Sequence, residues 1–185
     1  LKIYFKKEII EIQKLKTESL KEIIPTDATL NEADKAIFYS SWLYSTIRLL
    51  TSIPKYQNLE ALYKKLLISK NELTTKMEFL LEKKLCIKEN GQFTMGPQRT
   101  HLEASSPYIK TRQISWRVKG FEKMDNNSST NLFYTAPMSI SQNQFLELRK
   151  RINILISELN QNVISEKPDK IACLNIDLFD IFDEA

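Results

Sequence analysis

The stretch SKNELTTKMEFLLEKKLCIKENGQFTM, Ser69 to Met95, constrains the fold more than any other part of the chain. Ser69 followed by Glu72 is a capping box, in which the serine oxygen and the glutamate each satisfy a backbone N–H at the opening of a helix. The helix proceeds to about Leu85, with Leu73, Met77, Leu80, Leu81 and Lys84 projecting to one side and Lys70, Asn71, Thr74, Thr75 and Glu78 elsewhere. CIKE and QFTM then flank Asn90-Gly91, a pair suited to the positive φ angles of a tight type I′ turn, so the two segments form a hairpin. A short helix LEALYKKLL, capped by Asn58, precedes this unit. Before it, NEADKAIFYSSWLYSTIRLL is unbroken by Gly or Pro and predicts one helix from about Asn31 to Ile53, stopped by Pro54, with Phe38, Trp42 and Leu49 near one face. Trp42 and Tyr39 are expected as core and subsurface packing. Three helices and a hairpin, in that order, spell a winged helix.

The flanking sequence reads differently. The segment KIYFKKEIIEIQKLKTESLKEII, closed by Pro25, has approximately helical spacing of its isoleucines and leucines. With Leu1 in place of a methionine, it is expected to be a connecting helix, residues 1–30, trailing an N-terminal domain that is missing. Ser106-Pro107 opens a helix to about Met124. The end of the chain then alternates: NLFYTAPMSI as a strand, Ser141 and Gln144 as a capping box, a helix with Phe145, Leu148, Ile152, Leu155, Ile156 and Leu159 on one face, and IACLNIDLF as a second strand. Pro137 places the first of these strands at an edge. The expectation is therefore a helix-rich α+β chain: a winged-helix domain over 31–97, then a basic helix and a C-terminal β-α-β subdomain for dimerisation or sensing over 98–185.

Function classes are narrowed chiefly by what the residues cannot assemble. No run of 18 apolar residues exists, and lysines interrupt the N-terminal hydrophobics too early for a signal peptide, so the chain is expected to be cytoplasmic with no membrane partner. Cys86 and Cys173 stand without a CxxC or a histidine cluster, and read as small buried hydrophobes. His101 is the one histidine and sits in loop-like HLEASS, and no phosphate-loop, dinucleotide or zinc-protease signature is present. Asp177 and Asp180 make at most a weak cation site. The expectation is no enzyme, no catalytic residue, no metal and no cofactor.

Nucleic acid is the remaining candidate ligand. On the helix from Ser69, the residues placed toward a groove would be Lys70, Asn71, Thr74 and Thr75, with Lys88 on the wing; asparagine can bond adenine in bidentate fashion, and lysine or threonine can reach phosphates. No arginine lies on that helix or wing. The helix from Pro107 to Met124 is the stronger electrostatic candidate, because Lys110, Arg112, Arg117, Lys119 and Lys123 face one acid, Glu122. Lys110 and Arg117 repeat along one side, as do Arg112 and Lys119, and Trp116 among them could stack on a base or pack in a core. An acidic partner, including the Asp-rich C-terminus of a second copy, explains the same helix.

Three stretches carry a resemblance to a known family: FYSSWLYSTIRLL, the Ser69–Met95 unit, and MSISQNQFLELRKRI followed by IACLNIDLFDIF. Together, over roughly residues 30 to 182, they resemble a domain of unknown function found in Bdellovibrio- and Fibrobacter-like bacteria. There the counterparts are a tyrosine-rich helix ending in an Ile-Arg-Glu-Leu type motif, a winged-helix unit and a final strand of the form Leu-Asn-Ile-Gln-Leu-Phe-Pro. Tyr44 stands where a histidine is frequent, Leu49 where an acidic residue follows Ile47-Arg48, and Asp180 where a proline is usual. The resemblance implies a helix-turn-helix transcriptional regulator and assigns no catalytic residue; the chain is then expected to be its C-terminal regulatory region, a homodimer that dimerises or senses a signal, with DNA as a partner contacted mainly through the missing domain. The alternative is a protein–protein interaction module of a signalling complex that does not touch DNA.

Overall fold

A computed structural model of the protein describes residues 30–97, 100, 102, 106–125, 128–162 and 167–182. Among them are six α-helices, one short 3₁₀ turn and one two-stranded antiparallel sheet, a helix-rich α+β composition. The connecting helix expected over 1–30 lies outside the described residues, save Leu30. The described parts of Asp27–Asn131 and Glu166–Asn175 form one compact unit, and those of Leu132–Ser165 and Ile176–Ala185 another.

In the first unit, α1 (Glu32–Tyr39) opens on Asn31, whose side chain accepts from Asp34 N at 2.8 Å. The single helix expected over 31–53 is broken at Ser40-Ser41. Ser40 Oγ donates back to Ile37 O, while Ser41 is extended and its Oγ accepts from Leu43 N, capping a new helix, α2 (Trp42–Leu50). Two serines in tandem offer the backbone these local alternatives to the helical ladder. The break resets the helical phase, so Phe38 is fully buried and Trp42 half-buried while Leu49, expected beside them, is exposed.

A 3₁₀ turn (Pro54–Tyr56) leads to α3 (Leu59–Leu66), capped by Asn58, and Leu67 takes a left-handed conformation that ends it. Ser69 caps α4 (Lys70–Glu82), its hydroxyl accepting from Glu72 N at 3.1 Å. The hairpin β1 (Cys86–Glu89) and β2 (Gln92–Met95) pairs Cys86 with Met95 and Glu89 with Gln92 around Asn90 and Gly91, at φ 50° and 78°. Its turn is therefore of the type the Asn-Gly pair demands.

Phe38, Ile47, Leu62, Leu73, Met77, Leu80, Leu85 and Phe93 form the core that α1 to α4 and the hairpin share. Each fully buried leucine or phenylalanine there contributes about 2 kcal/mol of apolar transfer. Cys86 belongs to this core as expected, and burial pushes its thiol up from the ordinary cysteine range. Cys173 does not: it is exposed, and its thiol faces Asn175 Oδ1 at 3.7 Å. Helix α5 (Ile109–Met124) follows Ser106, whose hydroxyl accepts from Tyr108 N, and packs on α2.

The second unit holds α6 (Gln142–Asn162), introduced by the expected capping box: Ser141 N donates to Gln144 Oε1 and Gln144 N to Ser141 Oγ. The β-α-β unit expected around it is not formed, because neither Asn131–Ile140 nor Ile171–Phe179 is a strand. Alternating hydrophobics give a segment two faces, but a strand exists only where a neighbour completes its ladder, and Pro137 has no N–H to give. Leu174, within the second expected strand, is exposed.

Candidate nucleic-acid interface

Helix α4 is fixed from behind by Leu73, Met77 and Leu80, which leaves Lys70, Asn71, Thr74 and Thr75 all exposed. Its charged residues are not equally available. Lys76 bonds Glu72 at 3.5 Å and lies over the Tyr44 ring, while Lys83 bridges Asp34 at 3.1 Å and Glu82 at 2.9 Å, tying the end of α4 to α1. Burial, with Glu72 adding to it, holds the Tyr44 phenol above its ordinary range, so this hydroxyl stays neutral beneath Lys76. Lys70 instead rests over the Tyr63 ring at 5.3 Å, with no carboxylate within salt-bridge distance among the described residues.

The hairpin stands beside this helix. Phe93 N donates to Gln57 O at 2.8 Å, so one residue between α2 and α3 adds itself to the free edge of β2. The Gln57 side chain is held in turn by Thr51 O at 3.3 Å. Lys88 is exposed and sits over the Phe93 ring at 5.5 Å. Arg48 anchors the hairpin base, donating from Nε to Leu85 O at 3.1 Å and from Nη2 to Gly96 O at 3.2 Å.

The basic residues of α5 are drawn largely into packing. Arg112 lies over the Tyr39 ring at 5.7 Å with its Nε buried, and Lys119 bonds Glu122 at 2.6 Å while lying 4.3 Å from the Trp42 ring. Trp116 meets Trp42 edge to face, with ring centroids 6.4 Å apart. Trp42 N donates to Ser115 Oγ, and Asn175 Nδ2 reaches Trp116 O at 3.5 Å. Arg117 is half-buried and bonds Gln113 O, leaving Lys110 and Lys123 as the exposed members of the expected set on this helix.

Sequence reading did not single out Lys55, Tyr56 and Lys65, which the fold gathers: both ammoniums lie over the Tyr56 ring, at 5.1 and 5.9 Å. The KY dipeptide and the KK pair nine residues later were visible, but not that they converge on one ring. Among the described residues no group of three or more His, Cys, Asp and Glu side chains could hold a metal, and no helix is long and apolar enough to cross a membrane. His101 lies outside the described residues.

The chain belongs to the family described as Domain of unknown function (DUF4423), whose match spans residues 25–181. No curated protein and no solved structure matches the chain.

Proposed function

We propose that this member of the DUF4423 family is the winged-helix, regulatory region of a bacterial transcriptional regulator, of the kind seen in Bdellovibrio- and Fibrobacter-like bacteria, and that α4 and the hairpin contact duplex DNA. The observation that carries the reading is the Phe93 N to Gln57 O bond. A winged helix places a short strand between its first two helices and pairs it with the wing; a single bond from β2 to Gln57, between α2 and α3, supports that arrangement. In this reading α4 is the recognition helix, Asn71, Thr74 and Thr75 meet base edges, and Lys70 and Lys88 meet phosphates.

Titration against random and genomic duplex fragments at several salt concentrations tests it. Asn71→Ala is expected to cost about 1–3 kcal/mol on the preferred fragment and to flatten the preference, whereas Lys70→Ala weakens all fragments evenly and reduces the salt slope by about one. Absence of binding to any fragment at the lowest salt would sink the proposal.

Self-association belongs to the same reading, since regulators of this kind act as dimers on paired half-sites. The unit around α6 exposes Leu132 and Tyr134 at 88% and 85% and Phe179 at 71%, an apolar surface that a second copy would cover. Sedimentation equilibrium is expected to give a dimer that Leu132→Glu with Phe179→Glu converts to monomer. A wild-type monomer at high protein concentration would remove this part of the reading.

A further inference from the structure

Two kinds of partner recur among the described lysines of the first unit, and Lys76 and Lys119 have both. Lys35, Lys64, Lys76, Lys83 and Lys119 each bond a carboxylate. Lys55, Lys65, Lys70 and Lys88 bond none among the described residues, and each rests over an aromatic ring. The difference matters for binding. A lysine paired with glutamate must give up its partner before it can hold an external anion, whereas a ring face orients an ammonium without neutralising it.

Lys55 and Lys65 are the pair whose placement asks for a ligand. Their attraction to one ring brings two like charges no more than about 11 Å apart, neither of them bonded to a carboxylate among the described residues. Both are exposed, on the 3₁₀ turn and the last turn of α3. Tyr56 directly precedes Gln57, the residue bonded to the wing strand that holds Phe93 beneath Lys88. Lys55 is thus two residues from Gln57, and Lys65 joins it through the shared Tyr56 ring.

We propose that Lys55 and Lys65, carried by Tyr56, form a phosphate clamp that grips the backbone of the duplex beside the wing. The inference rests on the DNA-binding reading and adds two sequence-independent contacts to those that Lys70 and Lys88 make in it. Duplex DNA fits better than an acidic peptide because its phosphates recur at about 3.4 Å of rise per strand, so two ammoniums at this separation fall within a few successive phosphates whatever the sequence. Tyr56 is a positioning residue, acting through the two lysines it aims.

The test measures binding of the whole chain to a fluorescently labelled random duplex between roughly 50 and 200 mM salt. Lys55→Gln with Lys65→Gln is expected to lower the magnitude of the slope of log affinity against log salt by about two, with the order of preference among fragments unchanged. A control that removes the same charge from paired lysines, Lys64→Gln with Lys76→Gln, is expected to lower it by less than about one. Tyr56→Phe keeps the ring and the wild-type slope, while Tyr56→Leu moves the slope toward that of the double variant at a temperature where thermal melts show both proteins fully folded. If the wild type binds DNA and the clamp variant keeps its slope, the clamp is wrong and the α4 reading stands. If the wild type binds no DNA at low salt, both fall. Binding to polyglutamate that depends on Lys55 and Lys65, in a chain that does not bind DNA, would assign the pair to an acidic protein partner and overturn the clamp.

Discussion

Gly96→Ala should destabilise the protein by about 3 kcal/mol or more, and lower its melting temperature by roughly 6–12 °C. An ideal Cβ at this position would stand 2.1 Å from Lys84 O, and 2.9 and 3.0 Å from Leu85 C and O. Those are backbone atoms at the junction of α4 and β1, so no side-chain rotamer can relieve the overlap; the strand and the helix end must separate. Gly96 N donates to Leu85 O at 2.9 Å across the same gap, so separation also stretches the bond that closes the base of the hairpin. Gly91→Ala is the comparison. The tip at Gly91 has φ +78° and nothing within 4 Å of a Cβ, so the cost there is backbone strain of about 1 kcal/mol. Thermal melts of both variants check the order, and a Gly96→Ala protein as stable as the Gly91→Ala protein would refute the close approach.

Gly96 also shows where sequence reading reaches its limit. The helix start at Ser69, the start at Ser141, the cap at Asn58 and the turn at Asn90-Gly91 were legible because each is settled by residues a few positions apart. The break at Ser40-Ser41 was not: apolar spacing runs through it, and the break is made by the local hydroxyl bonds of two serines, with Trp42 N satisfied by Ser115 far along the chain. The strands assigned to NLFYTAPMSI and IACLNIDLF failed for a related reason, since alternation is a property of one segment and pairing a property of two.

The residues of the candidate interface divided along the same line. Outward placement of Lys70, Asn71, Thr74 and Thr75 follows from the inward spacing of Leu73, Met77 and Leu80, all within α4. That Arg112 and Lys119 would turn onto the rings of Tyr39 and Trp42, and that Lys55 and Lys65 would share Tyr56, depends on contacts between elements that charge counting cannot supply.

Arg48→Met should cost about 3 kcal/mol, and most of that loss should be local to the hairpin. Arg48 is 7% exposed, and its planar guanidinium divides between Leu85 O, Gly96 O and, at 3.4 Å, Thr100 Oγ1. A hydrogen bond to a charged donor is worth about 1.5–3 kcal/mol, and methionine replaces the stem while leaving Gly96 O without this donor and Leu85 O with Gly96 N alone. Lysine has the charge but not the fork, so one ammonium on a shorter reach recovers only part of the loss. The two carbonyls belong to residues just before β1 and just after β2, which makes Arg48 the link from α2 to both strands. Amide exchange should therefore accelerate across Cys86–Met95 more than across α1 or α3. Since Gly96 sits in the same network, Gly96→Ala and Arg48→Met should fall short of additivity by more than about 0.5 kcal/mol, because once the junction has opened there is less for the guanidinium to hold. An Arg48→Met protein within about 0.5 kcal/mol of wild type, with hairpin protection unchanged, would show that the hairpin is held by its apolar base alone.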